Sequence, residues 1–477
     1  MYTKKLYIQT IGCQMNVYDS GRIEQQLAPL NYAITEEVAE ADLVVVNTCA
    51  IREKAEQKVF SFLGRMAGLK RKRPELIIGV GGCVAQQLGE RIWKRAPYVD
   101  VVFGTHAIGR LGALIAKVED QGRRWVDVAL SDGIDAFEAP AAPVGSQAIT
   151  RFVTIMQGCD NYCTYCVVPY VRGSEASRSP ERIIEEIEHL VAGGVREVTL
   201  LGQNVNSYGR KEGHCSFPEL LSRVNAIEHL YRIRFTTSHP KDLSKDLCRS
   251  FRDLEKLCKH IHLPVQSGSN RVLKRMNRKY THEQYCEKIE QLRAFCPGIA
   301  ISSDFITGFP GETESDFEET LDLIRKVRFD SLFAFQYSDR PNARAARFGD
   351  KVGEEEKSRR LQALLQLQEQ ITLKKHRDLV GSVQEVLVEG LRHKVAAGGQ
   401  PVAAVDGNPH GQWTGRTSTN RIVHFERTAQ STSSTRAFTG KLVRVTIQKA
   451  HAHSLWGVPA GIEPVLPTLK GANSHAA

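Results

Sequence analysis

Apolar and polar positions along this 477-residue chain fall into blocks whose texture changes twice. Near the start, short aliphatic runs, Leu6-Tyr-Ile-Gln-Thr-Ile11, Leu43-Val-Val-Val46 and Leu76-Ile-Ile78, are separated by helix-like stretches such as Ala55 to Met66. Strand, helix, strand predicts an open parallel sheet. From Phe152 to Tyr337 there are six strand candidates, 152–156, 197–201, 232–237, 260–265, 299–306 and 331–337, with helix-like segments between them. Ser179 at an N-cap, Pro180 at N1 and Gly193-Gly194 past the end mark the first of these helices, and Thr281-His-Glu-Gln284 reads as a capping box for another. Six β-α units predict a curved parallel sheet, a partial (β/α)6 barrel whose functional face lies at the strand carboxyl ends. After Glu354, Leu361, Leu364, Leu365 and Ile371 recur at near-helical spacing and predict a core-facing helix. Beyond residue 378, Ser382–Val388, Arg421–Phe425 and Lys441–Ile447 are short β-rich runs among Gly, Ser and Thr, which predicts a small β-barrel.

These textures divide the α/β chain into an N-terminal domain over 1–125, a linker over 126–146 that contains Ala139-Pro-Ala-Ala-Pro143, a central domain over 147–377, a small barrel over 378–449 and a tail over 450–477. Hydrophobic residues make up 42% of the chain, enough for more than one core. No stretch approaches 18 uninterrupted apolar residues, and Met1-Tyr-Thr-Lys-Lys-Leu-Tyr7 runs straight into a strand, so no membrane partner and a reducing cytoplasmic location are expected. In that setting the eleven cysteines imply metal ligands and free thiols in place of a disulfide framework. A net charge of +10 suits an anionic partner such as RNA without requiring one, and Lys70-Arg-Lys-Arg73 reads most simply as a solvated loop. From Asp378 onward ten Lys and Arg face six Asp and Glu, so the C-terminal part shares in the positive surface.

Cys159, Cys163 and Cys166 stand at C-x3-C-x2-C spacing just after the first central strand. Thiolates are the soft ligands that iron–sulfur clusters select, and three of them leave one iron open to an outside molecule. A structural zinc site would want a fourth close Cys or His, and a Cys163–Cys166 redox pair would leave Cys159 unexplained. In the N-terminal domain, Cys13, Cys49 and Cys83 each follow a predicted strand. Residues just past the carboxyl ends of parallel strands share one crevice, so these three can converge on a second cluster; buried thiols acting as small hydrophobes are the plain alternative. Polar groups occupy the same topological edge of the central domain: Gln203, Ser238, Gln266 and Asp304, which can contact a bound ligand or simply cap strand ends and helix starts. On the small barrel, Arg416, Asn420 and Arg421 are the candidates for a phosphate backbone.

Together these segments resemble the radical S-adenosylmethionine (SAM) methylthiotransferases along nearly the whole chain. The likeness is carried by Gly12-Cys-Gln-Met-Asn-Val-Tyr-Asp-Ser20, Asn47-Thr-Cys-Ala-Ile-Arg-Glu-Lys54, Cys163-Thr-Tyr-Cys-Val-Val-Pro-Tyr170, Leu201-Gly-Gln-Asn-Val-Asn206, Phe235-Thr-Thr-Ser-His-Pro240, Leu263-Pro-Val-Gln-Ser-Gly268, Ser302-Ser-Asp-Phe-Ile-Thr-Gly308 and Gly415-Arg-Thr-Ser-Thr-Asn-Arg421. The resemblance implies a 4Fe-4S cluster on Cys159, Cys163 and Cys166 that binds and cleaves SAM, with Tyr165 against the adenine, and an auxiliary 4Fe-4S cluster on Cys13, Cys49 and Cys83 that carries sulfur. It also implies a C-terminal TRAM-type RNA-binding barrel. The implied partners are the anticodon stem-loop of a tRNA with dimethylallyl-adenosine at position 37, an electron donor and a sulfur source, with the enzyme a monomer. Methylthiolation of threonylcarbamoyl-adenosine or of a ribosomal-protein aspartate would use the same six cysteines, and an iron–sulfur sensor that binds RNA is the noncatalytic alternative. Tyr337-Ser-Asp-Arg-Pro-Asn-Ala343 departs from the family pattern Arg-Pro-Gly-Thr, which bears on the conformation of that loop.

Overall fold

The computed structural model describes residues 3–50, 53–130, 148–391, 412–426 and 438–460. In the N-terminal domain, β1 (Lys4–Ile11), β2 (Tyr32–Ile34), β3 (Leu43–Thr48), β4 (Ile77–Gly82), β5 (Val101–Phe103) and β6 (Trp125–Asp127) form one parallel sheet in the order β2-β1-β3-β4-β5-β6. Helices α1 (Gln14–Leu27), α2 (Glu53–Lys72), α3 (Cys83–Leu88), α4 (Ile92–Arg95) and α5 (Leu111–Gln121) connect the strands. β3 and β4 are buried along their full length, as a sheet covered on both faces requires. Val45 and Leu111 pack on one side, Val44 and Phe62 on the other. The order reverses between β1 and β3, the place where an open α/β sheet has its crevice. β6 pairs to Asp127, so the sheet takes in the first two residues of the expected linker; positions 131–146 of that linker lie outside the described residues.

The central domain contains the six predicted strands as β7 (Thr150–Thr154), β10 (Glu197–Leu201), β11 (Arg232–Phe235), β12 (His260–His262), β13 (Ala300–Thr307) and β14 (Ser331–Gln336), with a small hairpin of β8 (Met156–Gln157) and β9 (Ala176–Ser177) beside the first. They pair as β7-β10-β11 and β12-β13-β14, all parallel, and a parallel bridge from Ile233 to Leu257 joins the halves into one curved wall. Around it lie α6 (Val168–Arg172), α7 (Pro180–Ala192), α8 (Phe217–Asn225), α9 (Lys245–Asp253), α10 (Asn270–Arg275), α11 (His282–Phe295), α12 (Glu314–Val327) and α13 (Glu354–Arg377). Ser179 accepts from Arg182 N at the start of α7, and Thr281 with Gln284 closes a capping box on α11. One core runs between strands and helices, and along α13 Leu364, Leu367 and Ile371 join it while Leu365 is exposed. Asn342 takes φ 71° where the family pattern has Gly, a left-handed conformation that Gly adopts freely and Asn tolerates at little cost.

The C-terminal strands β15 (Val383–Leu391), β16 (Gln412–Thr417), β17 (Ile422–Glu426), β18 (Leu442–Ala450) and β19 (Leu455–Pro459) close into a barrel. β16 and β19 carry too many polar, Gly and Pro residues to stand out in sequence. β16 nevertheless buries Trp413 and Thr417 in strict alternation, with Gly415 between them so close to β15 that a Cβ would meet Leu387 O at 2.2 Å. Because β19 is a barrel strand, the tail begins after it and not at 450; residues 461–477 lie outside the described residues. Among the described residues, no helix is long and apolar enough to cross a membrane.

Two cysteine triplets at the mouth of a partial barrel

The register of the N-terminal sheet aligns Ile11 with Thr48 and Thr48 with Gly82, so Cys13, Cys49 and Cys83 emerge side by side from the carboxyl ends of three adjacent strands. Neighbouring strands are about 4.8 Å apart, which sets the thiols within one small site. Cys49 N bonds back to Ile11 O at 3.0 Å. Gly82 reaches φ 86° to turn β4 into α3, and a Cβ there would meet Thr48 O at 2.4 Å. Cys13 is the N-cap of α1. A hydrogen bond with Cys49, then the charge of Arg172 and the backbone N–H groups of Asn16 and Met15, hold its thiol down at about 6 despite burial. Burial pushes the Cys83 thiol up, and Arg172 opposes the shift.

The second triplet follows β8. Gly158, at φ 81°, lies so near the chain at Ser174 that a Cβ would come within 1.9 Å of its carbonyl, and its N–H donates to Gln203 Oε1 at 2.5 Å. Each sulfur accepts an N–H: Cys159 from Asn161 Nδ2 at 3.4 Å, Cys163 from Arg278 Nη1 at 3.3 Å and Cys166 from Val168 N at 3.5 Å. Thr164 fixes the loop through bonds to Met276 O and Arg275 O. Burial raises the Cys159 thiol to about 11 and the Cys166 thiol to about 12, so both are held as thiols, and a metal bound there would take the place of the proton. Among the described residues, no three Cys, His, Asp or Glu side chains converge tightly enough for a single metal ion. Three cysteines, with no His, Asp or Glu among them, are the soft donor set that an iron–sulfur cluster takes.

Helix α6 joins the two sites. Val167, next to Cys166, packs with Cys83 and Ala50, Thr105 Oγ1 donates to Val171 O at 2.7 Å, and Arg172 at the end of α6 lies beside Cys83 and Cys13. α1 closes the flank of the barrel, with Met15 and Tyr18 against Leu201 and Phe152.

The other expected contacts divide. Tyr165 is partly buried with Met276, Phe309 and Tyr337 and meets Arg278 Nη1 at 3.3 Å. Gln203 braces Gly158. Ser238 is buried with its hydroxyl unpartnered, and Gln266 sits at φ 78° with its backbone bonded to Asp304 O and Ile306 N. Asp304 turns to His262 Nε2 at 3.4 Å. On the small barrel, Arg421 is not turned outward as an RNA contact would be: its guanidinium pairs with Asp330 at 2.7 Å, both side chains largely buried. The β16–β17 hairpin instead docks on the amino ends of the central strands, where Arg234 donates to Thr417 O and Ser418 O. Arg416 pairs with Glu389 at 3.1 Å with a third of its side chain exposed, and Asn420 accepts from Arg416 at 3.5 Å. Asp19, Arg172 and Arg278 had no spacing signal in the sequence; a lone charge within an apolar run shortly after Cys166 is the trace that Arg172 leaves.

Residues 5–104 match the Uncharacterized protein family UPF0004 and residues 153–324 the Radical SAM superfamily. The chain is 54% identical over 474 residues, 99% of its length and 100% of the relative, to the tRNA-2-methylthio-N(6)-dimethylallyladenosine synthase of Desulfosudis oleivorans. It is 49% identical to that of Syntrophus aciditrophicus over 95% of this chain and 94% of the other. The radical SAM methyltransferase TsrM of Kitasatospora setae shares the fold at 12% identity, with a TM-score of 0.55 over 83% of this chain and 79% of that one. With two cysteine triplets at one mouth and identity along almost its full length, the chain belongs to the tRNA-2-methylthio-N(6)-dimethylallyladenosine synthase family of radical SAM enzymes.

Proposed function

We propose that the protein attaches a methylthio group to carbon 2 of N6-dimethylallyladenosine at position 37 of tRNA, with one SAM as methyl donor and a second as radical source. The observation that carries this reading is α6, which starts two residues after Cys166 and ends with Arg172 beside Cys83 and Cys13, so that both triplets serve one space. When bound, a cluster on Cys159, Cys163 and Cys166 would supply the electron that cleaves SAM, and a cluster on Cys13, Cys49 and Cys83 the sulfur to be transferred. A radical is needed because the C2 hydrogen of adenine is too weakly acidic for any side-chain base to remove.

The chain's own residues prepare the site. Arg278, 4% exposed and donating to Cys163 and Pro264 O, places a fixed positive charge where thiolates must be held. α1 seals the barrel flank, which excludes water from a reactive intermediate. Tyr165, Ser238 and Gln266 are the SAM contacts in this reading, and the orphaned Ser238 hydroxyl supports a polar ligand there. Arg416 and Asn420 contribute to tRNA binding, the electron donor and sulfur source arrive from outside, and the enzyme acts as a cytoplasmic monomer.

The test is anaerobic incubation of the reconstituted protein with reductant, methyl-labelled SAM and dimethylallyl-modified tRNA, with mass spectrometry of the digested nucleosides. Labelled 2-methylthio nucleoside is the expected product. Formation of 5′-deoxyadenosine without modified tRNA would remove the substrate assignment, and absence of both in a fully clustered sample would favour a sensor.

A further inference from the structure

Strand alternation sorts the barrel's residues into two faces. Ile261, Leu263, Ile301 and Phe305 lie in the core between strands and helices, and Leu332 and Ala334 pack against it, which leaves His262, Asp304 and Phe333 on the inner, hollow side. Asp304 and Phe333 stand opposite one another in the β13–β14 register. His262 Nε2 lies 3.4 Å from Asp304 Oδ1, its Nδ1 lies 3.0 Å from Ser302 Oγ, and its ring centroid is 6.1 Å from that of Phe333 at 73°. The group is accessible: Phe333 is 52% exposed, and the His262 and Asp304 side chains are 14% and 28% exposed. An aromatic left half open on the inner face of a barrel, beside a hydrogen-bonding pair, has the composition of a ligand seat and not of a packed core.

We propose that His262, Asp304 and Phe333 form the seat of the modified adenine and read its N6/N7 edge, an assignment that rests on the function proposed above. The geometry of the base supplies the reason. C2 lies between N1 and N3, and the edge that carries N7 and the N6 substituent is on the opposite side of the ring. A base that turns C2 toward the cysteine triplets at the strand carboxyl ends turns its N6/N7 edge down into the hollow. That edge offers one N–H donor at alkylated N6 and one acceptor at N7. Asp304 supplies the matching acceptor. In the tautomer whose Nδ1 accepts from Ser302, His262 carries its one N–H at Nε2, beside Asp304, and turns it to N7 when the base is seated. Phe333 offers a face for stacking to a base that has left its own stack. In this assignment Asp304 reads the substrate and not SAM.

A substrate that lacks N7 as an acceptor tests the seat without altering the protein. An anticodon stem-loop with 7-deaza-N6-dimethylallyladenosine at position 37 is compared with its natural counterpart, in equilibrium binding and in KM, on the parent enzyme and on His262→Asn, Asp304→Asn, Phe333→Ala and Phe333→Tyr. The deaza substitution is expected to weaken binding to the parent about ten-fold but to add little in His262→Asn, the non-additivity that a direct contact produces. Phe333→Ala and Asp304→Asn each raise KM for the stem-loop about ten-fold or more and leave KM for SAM unchanged, and Phe333→Tyr stays near the parent. Equal binding of both stem-loops by the parent, full additivity with His262→Asn, or an Asp304→Asn effect on KM for SAM would overturn the seat. Absence of methylthio product from the parent with the natural stem-loop is a different result and counts against the function itself.

Discussion

Arg172 and Asp19 form an ion pair between the two α/β domains, Nη2 to Oδ2 at 2.7 Å, with side chains only 3% and 0% exposed. The pair ties α6, the continuation of the Cys159–Cys166 loop, to α1, whose N-cap is Cys13. A buried charge left without its counterion is strongly destabilising. Arg172→Met is expected to cost about 3 kcal/mol, the low end for such a loss because the charge of Arg22 also reaches Asp19. Asp19→Leu added to Arg172→Met restores much of that stability. Denaturant unfolding under anaerobic conditions measures both, and a double variant no more stable than the single would show that the pair is not the connection.

Gly158 precedes Cys159 at φ 81° with no room for a Cβ. Gly158→Ala should cost more than about 1 kcal/mol and displace the cysteine loop, so that iron content drops at this site and SAM cleavage is lost. Gly194→Ala, at φ 100° but with open space around it, has the backbone strain without the collision and should retain iron. Iron analysis of the two variants separates the loop's close approach from conformational strain.

The small barrel separates docking from RNA binding. Arg421→Ala leaves Asp330 with Lys375 as its ion-pair partner and the Ile301 N–H as its other donor, and should destabilise the barrel's seat on the central domain by about 1–3 kcal/mol without changing the salt dependence of tRNA binding. Arg416→Ala should weaken tRNA binding across sequences and reduce the slope of log affinity against log salt by about one. Titrations at several salt concentrations distinguish them; a changed slope in Arg421→Ala would return that residue to the RNA surface.

Acid should destabilise the fold through His260. Burial, then the charges of Arg234, His262, Arg421 and Arg416, depress its ring to about 3, so the folded protein holds it neutral while the unfolded chain takes up a proton near its ordinary value. Stability is therefore fully present above about pH 6.5 and declines toward about pH 3, by about 1.4 kcal/mol per pH unit from this group. His260→Gln should flatten the pH dependence of the unfolding midpoint in that window, and an unchanged slope would count against the burial argument.

The strands, their parallel order and the two cysteine triplets were legible in the chain because each depends on local pattern: the apolar runs are short, the helices between them carry caps, and Cys13, Cys49, Cys83 and Cys159 each come within two residues of a strand end. Nothing local marked β16 and β19, whose glycines and polar residues are accommodated only once the barrel closes around them. The same limit applies to the site. Arg172 and Asp19 are 153 positions apart, and His262, Asp304 and Phe333 come from three successive strands. Sequence by itself singled out the six cysteines that carry the cluster proposal, since thiolate chemistry and strand patterning act on neighbours. Only the tertiary structure decided which charges meet across the domain boundary, that Arg421 docks a barrel and does not face solvent, and which side chains the curvature of the sheet gathers in the hollow, because these depend on how distant strands are brought together and not on any one segment's preference.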